Sequence, residues 1–297
     1  MLIINAPHWR GPALYALALL LFACLDATTK YLAQSYNVPL IVAIRYLVHF
    51  ALMLLLLAPL EGRRLIETRH PGWAILRGAS LATVSVCVGL ALSRMPVAET
   101  TAIVFLAPIA VVMLAVPLLG ETLGRLGWGA CLTGFIGVLL IARPGSGLDQ
   151  TGMMFAFGAV IAATLYQLLS RYLASRERTV TLLFFTAVFG SLAYGLLLPW
   201  TLHGPTPSLT QTLLFLSMGF TGGLGHYLYT AAYRHASAST LAPMNYLQLL
   251  WAGLLGWVIF GHLPDQISLL GMLLIAGSGV TVALSNRRPP QASGSSA

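Results

Sequence analysis

The sequence predicts an all-α polytopic membrane protein: ten transmembrane helices laid out as two inverted five-helix repeats. Three observations predict it. Hydrophobic residues make up 58% of the 297 residues and charged residues only 8%, against about a quarter in soluble domains. That much apolar surface exceeds what one soluble core can hide. Ten apolar stretches approach the roughly 20 residues that cross a bilayer. Finally, features of the first half return in the second at a constant shift of 141 residues.

The spans follow from apolar runs and the turn signals between them. Spans 1 and 2 cover residues 12–33 and 39–58, separated by Asn37-Val38-Pro39. Spans 3 and 4, residues 73–92 and 97–119, are separated by Arg94-Met95-Pro96. Span 5, residues 126–142, stops at Arg143-Pro144-Gly145. Spans 6 and 7 cover 151–173 and 180–200, the latter closing before Gly204-Pro205. Spans 8, 9 and 10 cover 212–233, 240–260 and 267–285. This gives a first repeat over 1–145, a second over 146–288, and a Pro/Ser/Gly-rich tail over 289–297 that reads as disordered.

Cationic residues set the orientation. With the N-terminus inside, the inner segments hold Arg10, Arg63, Arg64, Arg69, Arg125, Arg176, Arg178, Arg234, Arg287 and Arg288, while the outer connectors hold only Arg94 and Arg143. Both termini are therefore expected in the cytoplasm. The net charge of +8 does not point to nucleic acid, because the basic residues form neither a run nor an aromatic-interleaved patch. The three cysteines, Cys24, Cys87 and Cys131, fall in apolar stretches with no metal-ligand spacing. No phosphate-cradling loop, HExxH, CxxC or GxSxG occurs. ATP-driven transport by this chain, an enzyme, a metal and a cofactor are all unexpected.

The repeat is written in three places. Lys30-Tyr31-Leu32-Ala33 returns as Arg171-Tyr172-Leu173-Ala174, Ala91 as Ala232, and Gly120-Glu121 as Gly261-His262. Asp26 maps to Gln167. An odd number of spans per repeat inserts the copies upside down relative to each other, as in many secondary transporters. Lys30 and Arg171 then sit at helix C-termini on opposite faces, where the macrodipole favours a cation and a long side chain snorkels to the interface.

These motifs resemble a known family. They include Asp26, Lys30-Tyr31-Leu32, Arg45, Leu76-Arg77-Gly78, the run "MPVAETTAIVFLAPIAVVMLAVPLLGE", "GFIGVLLI" and "GHYLYTAAYRHASASTLAPMNYLQLLWAGLLGWVIFGHLPD". The chain is similar to the ten-helix EamA-type transporters of the drug/metabolite transporter superfamily. The resemblance implies a multi-pass carrier of the cell inner (cytoplasmic) membrane working by alternating access. The substrate candidates it implies are riboflavin, S-adenosylmethionine and amino acids. One departure is Gly261-His262, where the family has a "GE" pair. An acidic role there is lost or pH-dependent.

Several residues could carry the chemistry. Asp26 lies about 10 Å from the outer end of span 1, at 1.5 Å rise per residue. A carboxylate at that depth faces a cavity or a partner. Lys30 is its i,i+4 neighbour, and Arg45 lies at a similar depth on span 2. A static ion pair is the first reading of this group, and an outer gate or proton site the second. Arg171 is the mirrored gate candidate. Arg45 and His49, four residues apart, could line a cavity; so could Tyr166, Gln167, Asn245, Gln248 and His226, the last behind the glycines of "GFTGGLG". Tyr246 and Trp251 add aromatic surface. Arg77 reads as an interfacial anchor, Glu99 as a helix-N-terminal charge, and Glu121 and Asp265 as solvated. Pro108 is expected to kink span 4. Gly134, Gly137, Gly271, Gly277 and Gly279 suggest close packing between the repeats or between protomers of a homodimer. The expected partners are a small-molecule metabolite and membrane lipid. A passive channel or facilitator is the alternative function, and an intramembrane enzyme a weaker one.

Overall fold

The computed structural model describes residues 9–119, 125–143, 147–174, 176–202, 204–232, 235, 244–245 and 247–285. Gly120-Glu121, Tyr246 and the tail 289–297 lie outside them, as does the side chain of Arg171. The helices are α1 Arg10–Leu32, α2 Val38–Leu56, α3 Pro71–Leu92, α4 Val97–Val104, α5 Leu106–Leu119, α6 Arg125–Ile141, α7 Gln150–Ala174, α8 Thr179–Gly195, α9 Leu209–Ala232, α10 Leu247–Phe260 and α11 Gln266–Ser285. There is no strand among the described residues. The fold is that of a multi-pass membrane protein. α1, α2, α3 and residues Gln150–Ser170 of α7 have the length and apolarity to cross a bilayer, and shorter apolar helices accompany them. Large apolar side chains such as Met154, Ile161, Leu250 and Leu273 point outward, as a lipid-solvated surface requires.

Local chemistry sets the helix ends. Asn37 opens α2 by accepting a hydrogen bond from the Leu40 N–H at 2.9 Å, which satisfies an otherwise orphaned donor. Prolines mark the ends of three helices. Pro108 cannot bond the carbonyl of Val104 and crowds it, and α4 ends at that residue, with Phe105 a turn before α5 begins. The expected kink is therefore a helix break. Spans 2 and 7 likewise stop short, at Leu56 and Gly195, and each is followed by a separate turn, Ala58–Glu61 or Leu198–Thr201, that carries a proline in its first residues. A residue that precedes proline is biased away from helix.

The most extensive helix pairs all join one half of the chain to the other. α1 packs on α9 and α10, α2 on α8 and α9, α3 on α7 and α8, α4 on α10, and α6 on α11. Close approach needs glycine at several of these crossings. A Cβ on Gly190 of α8 would run into the Tyr46 ring of α2. On α6 and α11, a Cβ at Gly137 would meet the Gly271 carbonyl, and one at Gly271 the Gly137 carbonyl. These two glycines thus serve packing between the halves, whereas Gly277 faces open space.

Candidate functional site

One cavity of about 290 Å³ lies between the halves, lined by the middle stretches of α1, α2, α3, α4, α7, α8 and α9 and by residues just before and at the start of α10. It draws together the residues singled out in the sequence: Asp26, Arg45, His49, Tyr166, Gln167, His226, Asn245 and Gln248 all line it. Pro108 does too, so the helix break opens onto the same space. Phe22, Phe105 and several leucines and valines form the apolar part of the wall. Apolar walls with a few convergent polar groups are the usual makeup of a small-molecule site.

Each polar group is held differently. Asp26 Oδ2 receives a long hydrogen bond, 3.4 Å, from Gln248 Nε2. Asn245 Oδ1 accepts from the Tyr15 hydroxyl at 2.7 Å, which joins α1 to the approach of α10. The Arg45 guanidinium lies over the Tyr46 ring, 4.8 Å from its centroid. His49 is buried against α9, where Gly223 leaves room for its ring. His226 packs on Phe22 with ring centroids 4.9 Å apart. The glycines before His226 do not make α9 irregular. They let it approach α1 and α2, since a Cβ on Gly225 would stand 2.7 Å from Phe22.

Three expectations need correction. Asp26 forms no ion pair with Lys30 or Arg45 among the described residues; Lys30 turns the other way. Its Nζ donates to the carbonyls of Leu92, at 2.9 Å, and Met95, at 2.7 Å, and lies 5.5 Å from the Phe260 ring centroid. The four-carbon stem carries the charge past the cavity to the C-terminal end of α3, where unpaired carbonyls and the macrodipole favour it.

Arg77 is not an interfacial anchor. It is only 7% exposed. It donates from Nε to Ser170 Oγ at 2.7 Å, from Nη1 to Thr186 Oγ1 at 3.1 Å and the Leu182 carbonyl at 3.2 Å, and from Nη2 to the Tyr166 hydroxyl at 2.9 Å. The face of α3 that carries Arg77 points into the bundle, and the rigid guanidinium fork finds neutral acceptors on both α7 and α8. The sequence signals for it were the adjacent Gly78, which lets α8 come within 3.3 Å of a Cβ position, and the polar Ser170 and Thr186 on apolar helices.

Glu99 lies in the first turn of α4 but accepts no backbone N–H there. It is 3% exposed, with Oε1 at 2.9 Å from His262 Nε2 and Oε2 buried without a partner among the described residues. The departure at Gly261-His262 thus supplies a histidine to the first half's acid. Asp265, expected to be solvated, is half-exposed; it also caps α11 through the Ser268 N–H and pairs with Arg143 at 3.0 Å. The Ser268 N–H and Arg143 hold its carboxyl below the usual carboxylate range.

At the opposite end of α3, Glu177 in the α7–α8 connector accepts from the backbone N–H groups of Arg69 and His70, at 2.8 and 2.9 Å, and lies 3.0 Å from His70 Nδ1. Burial alone would raise its carboxyl. The hydrogen bonds from His70, Thr68 and the two backbone N–H groups outweigh that and hold it below the usual range. Thus α3 carries an anion at its positive N-terminal end, from the α7–α8 connector, and a cation at its negative C-terminal end, from α1.

A family model described as the EamA-like transporter family matches the chain twice, over residues 9–143 and 150–284. An S-adenosylmethionine uptake transporter of Rickettsia bellii is 24% identical over 94% of this chain and 94% of its own length. A pseudopaline exporter of Pseudomonas aeruginosa is 25% identical over 89% of this chain and 93% of its own. A crystal structure that is 20% identical superposes with a TM-score of 0.65, covering 92% of this chain and 99% of its own, and so shares the fold.

Proposed function

The chain belongs to the EamA-like transporter family, and from that premise we propose that it is a secondary carrier. It moves a small organic metabolite across the inner (cytoplasmic) membrane by alternating access, with both termini in the cytoplasm. The single observation that carries this reading is the gathering of Asp26, Arg45, His49, Gln167, His226 and Gln248 into one cavity between the halves. Polar groups at membrane depth are costly and mark substrate or ion paths.

The ten spans form two inverted repeats, 1–145 and 146–288, in this reading. The helix pairing supports it, because it is unchanged when the halves are exchanged. α1 packs on α9 as α7 packs on α3; α2 packs on α9 as α8 packs on α3; α2–α8 and α6–α11 each pair with their own counterpart. The substrate carries groups of opposite charge, since Asp26 and Arg45 both face the cavity. An S-adenosylmethionine-like or amino-acid-like metabolite satisfies this better than riboflavin, and relatives named for S-adenosylmethionine uptake point the same way.

Counterflow in proteoliposomes tests the reading. A carrier preloaded on the trans side accelerates entry of labelled metabolite, and a passive channel does not. Entry indifferent to trans loading would replace the carrier with a channel. In the same assay Asp26→Asn separates proton-coupled uptake from exchange: pH dependence that survives the substitution removes Asp26 from coupling.

A further inference from the structure

We propose that Arg77 is a positioning residue that fixes Tyr166 as a hydrogen-bond donor into the cavity, and that Tyr166 and Arg45 together receive a carboxylate of the transported metabolite. This rests on the carrier reading above and names the chemistry its substrate must present.

A guanidinium has donors and no acceptor, and a phenol has one proton. Because Arg77 Nη2 donates to the Tyr166 oxygen at 2.9 Å, that oxygen is the acceptor and its proton must turn elsewhere. The same guanidinium lies 4.6 Å from the Tyr166 ring centroid, so the ring is held as well as the hydroxyl. Tyr166 lines the cavity, and its proton meets no acceptor among the described residues. Five other cavity hydroxyls have spent theirs. Thr29 donates to the Leu25 carbonyl, Thr100 to Pro96, Thr186 to Leu182 and Ser85 to Leu81. Since Ser85 gives its proton to Leu81, Tyr46, 3.0 Å from it, gives its own to Ser85.

Arg45 presents the second half of the subsite. Its guanidinium faces the cavity with no carboxylate in ion-pair range among the described residues. A guanidinium with no ion-pair partner among the described residues and a phenol proton, both donors, match a carboxylate, which only accepts and which a guanidinium grips through two oxygens. An amide in its place offers one acceptor and no charge. A hydrogen bond to a charged group contributes more than one between neutral groups, so the acid should bind about tenfold more tightly than its amide.

The test is thermal stabilisation of the purified full chain by S-adenosylmethionine and methionine, by the α-carboxamide of each, and by riboflavin, which has no carboxylate. At least one acid should raise the unfolding midpoint, with its amide needing about tenfold more for the same shift. Tyr166→Phe should bring that ratio towards one. Arg77→Gln should do the same, with Arg77→Lys intermediate, because a residue that merely held the helices would weaken acid and amide alike. If Arg77→Gln does not fold, Tyr166→Phe decides alone. Amides or riboflavin matching the acids in the wild-type chain, or no acid stabilising it, would overturn the proposal. Counterflow that treats acid and amide alike sinks the subsite and leaves the carrier; acid-selective binding without counterflow does the reverse.

Discussion

The two ends of α3 are both tied to other helices through charge, but with different rigidity. At the Glu177 end, one carboxylate receives two backbone N–H groups and lies within hydrogen-bond distance of the His70 ring, and Arg77 spreads four more bonds over α7 and α8. At the Lys30 end, a single ammonium on a flexible stem reaches two carbonyls, and a separate contact joins Glu99 to a half-exposed His262. The first is a many-point attachment made largely to neutral partners. The second depends on a few movable ionic groups. A helix held this way yields at its Lys30 end first.

The largest test removes the firm attachment. Arg77→Ala strands buried acceptors on two helices at about 1–3 kcal/mol each for those that water cannot reach. Unfolding in mixed micelles should therefore register a loss of about 3 kcal/mol or more. A loss below about 1 kcal/mol would mean that the two ends do not differ as described.

Glu177→Gln should cost about 1–2 kcal/mol at neutral pH. The sign of its pH dependence is fixed. The folded carboxyl is held below its ordinary value, so its contribution is complete above the ordinary glutamate range and fades as pH falls through the folded value. Midpoints of wild type and variant measured from neutral to acid pH should converge; divergence in acid would contradict the hydrogen bonding at this end.

Lys30→Met should cost less, about 0.3–1 kcal/mol, the usual contribution of a charge at a helix terminus. A loss equal to that of Arg77→Ala would erase the contrast. Smallest is Arg94→Gln. Its partner Asp149 is 3.7 Å away, the two side chains are 49% and 39% exposed, and such pairs contribute about 0–1 kcal/mol. A measurable shift in the same titration would show that this outlying pair helps hold the Lys30 end.

Much of this arrangement was legible in the residue order, and the gaps have one cause. Apolar runs and turn signals located the helices, and Asp26, Arg45 and His226 stood out because charge or imidazole in a greasy stretch has few places to go. Pro108 marked span 4 as bent, though not as broken. Rotation about each helix axis, however, is not written in composition. Asp26 and Lys30 are helical neighbours, yet one faces the cavity and the other reaches the end of α3. Arg77 sits near a span end, where an outward turn would make it an anchor and an inward turn makes it a clamp. Only the packing of α7 and α8 decides between them.

The interleaving of α1 through α6 with α7 through α11 has a consequence for how the protein is made. Nearly every extensive contact of the early helices is with a helix translated later. The helices of the first half must therefore wait with Asp26, Arg45 and Arg77 lacking their eventual neighbours, and assembly can finish only after the helices of the second half have left the ribosome.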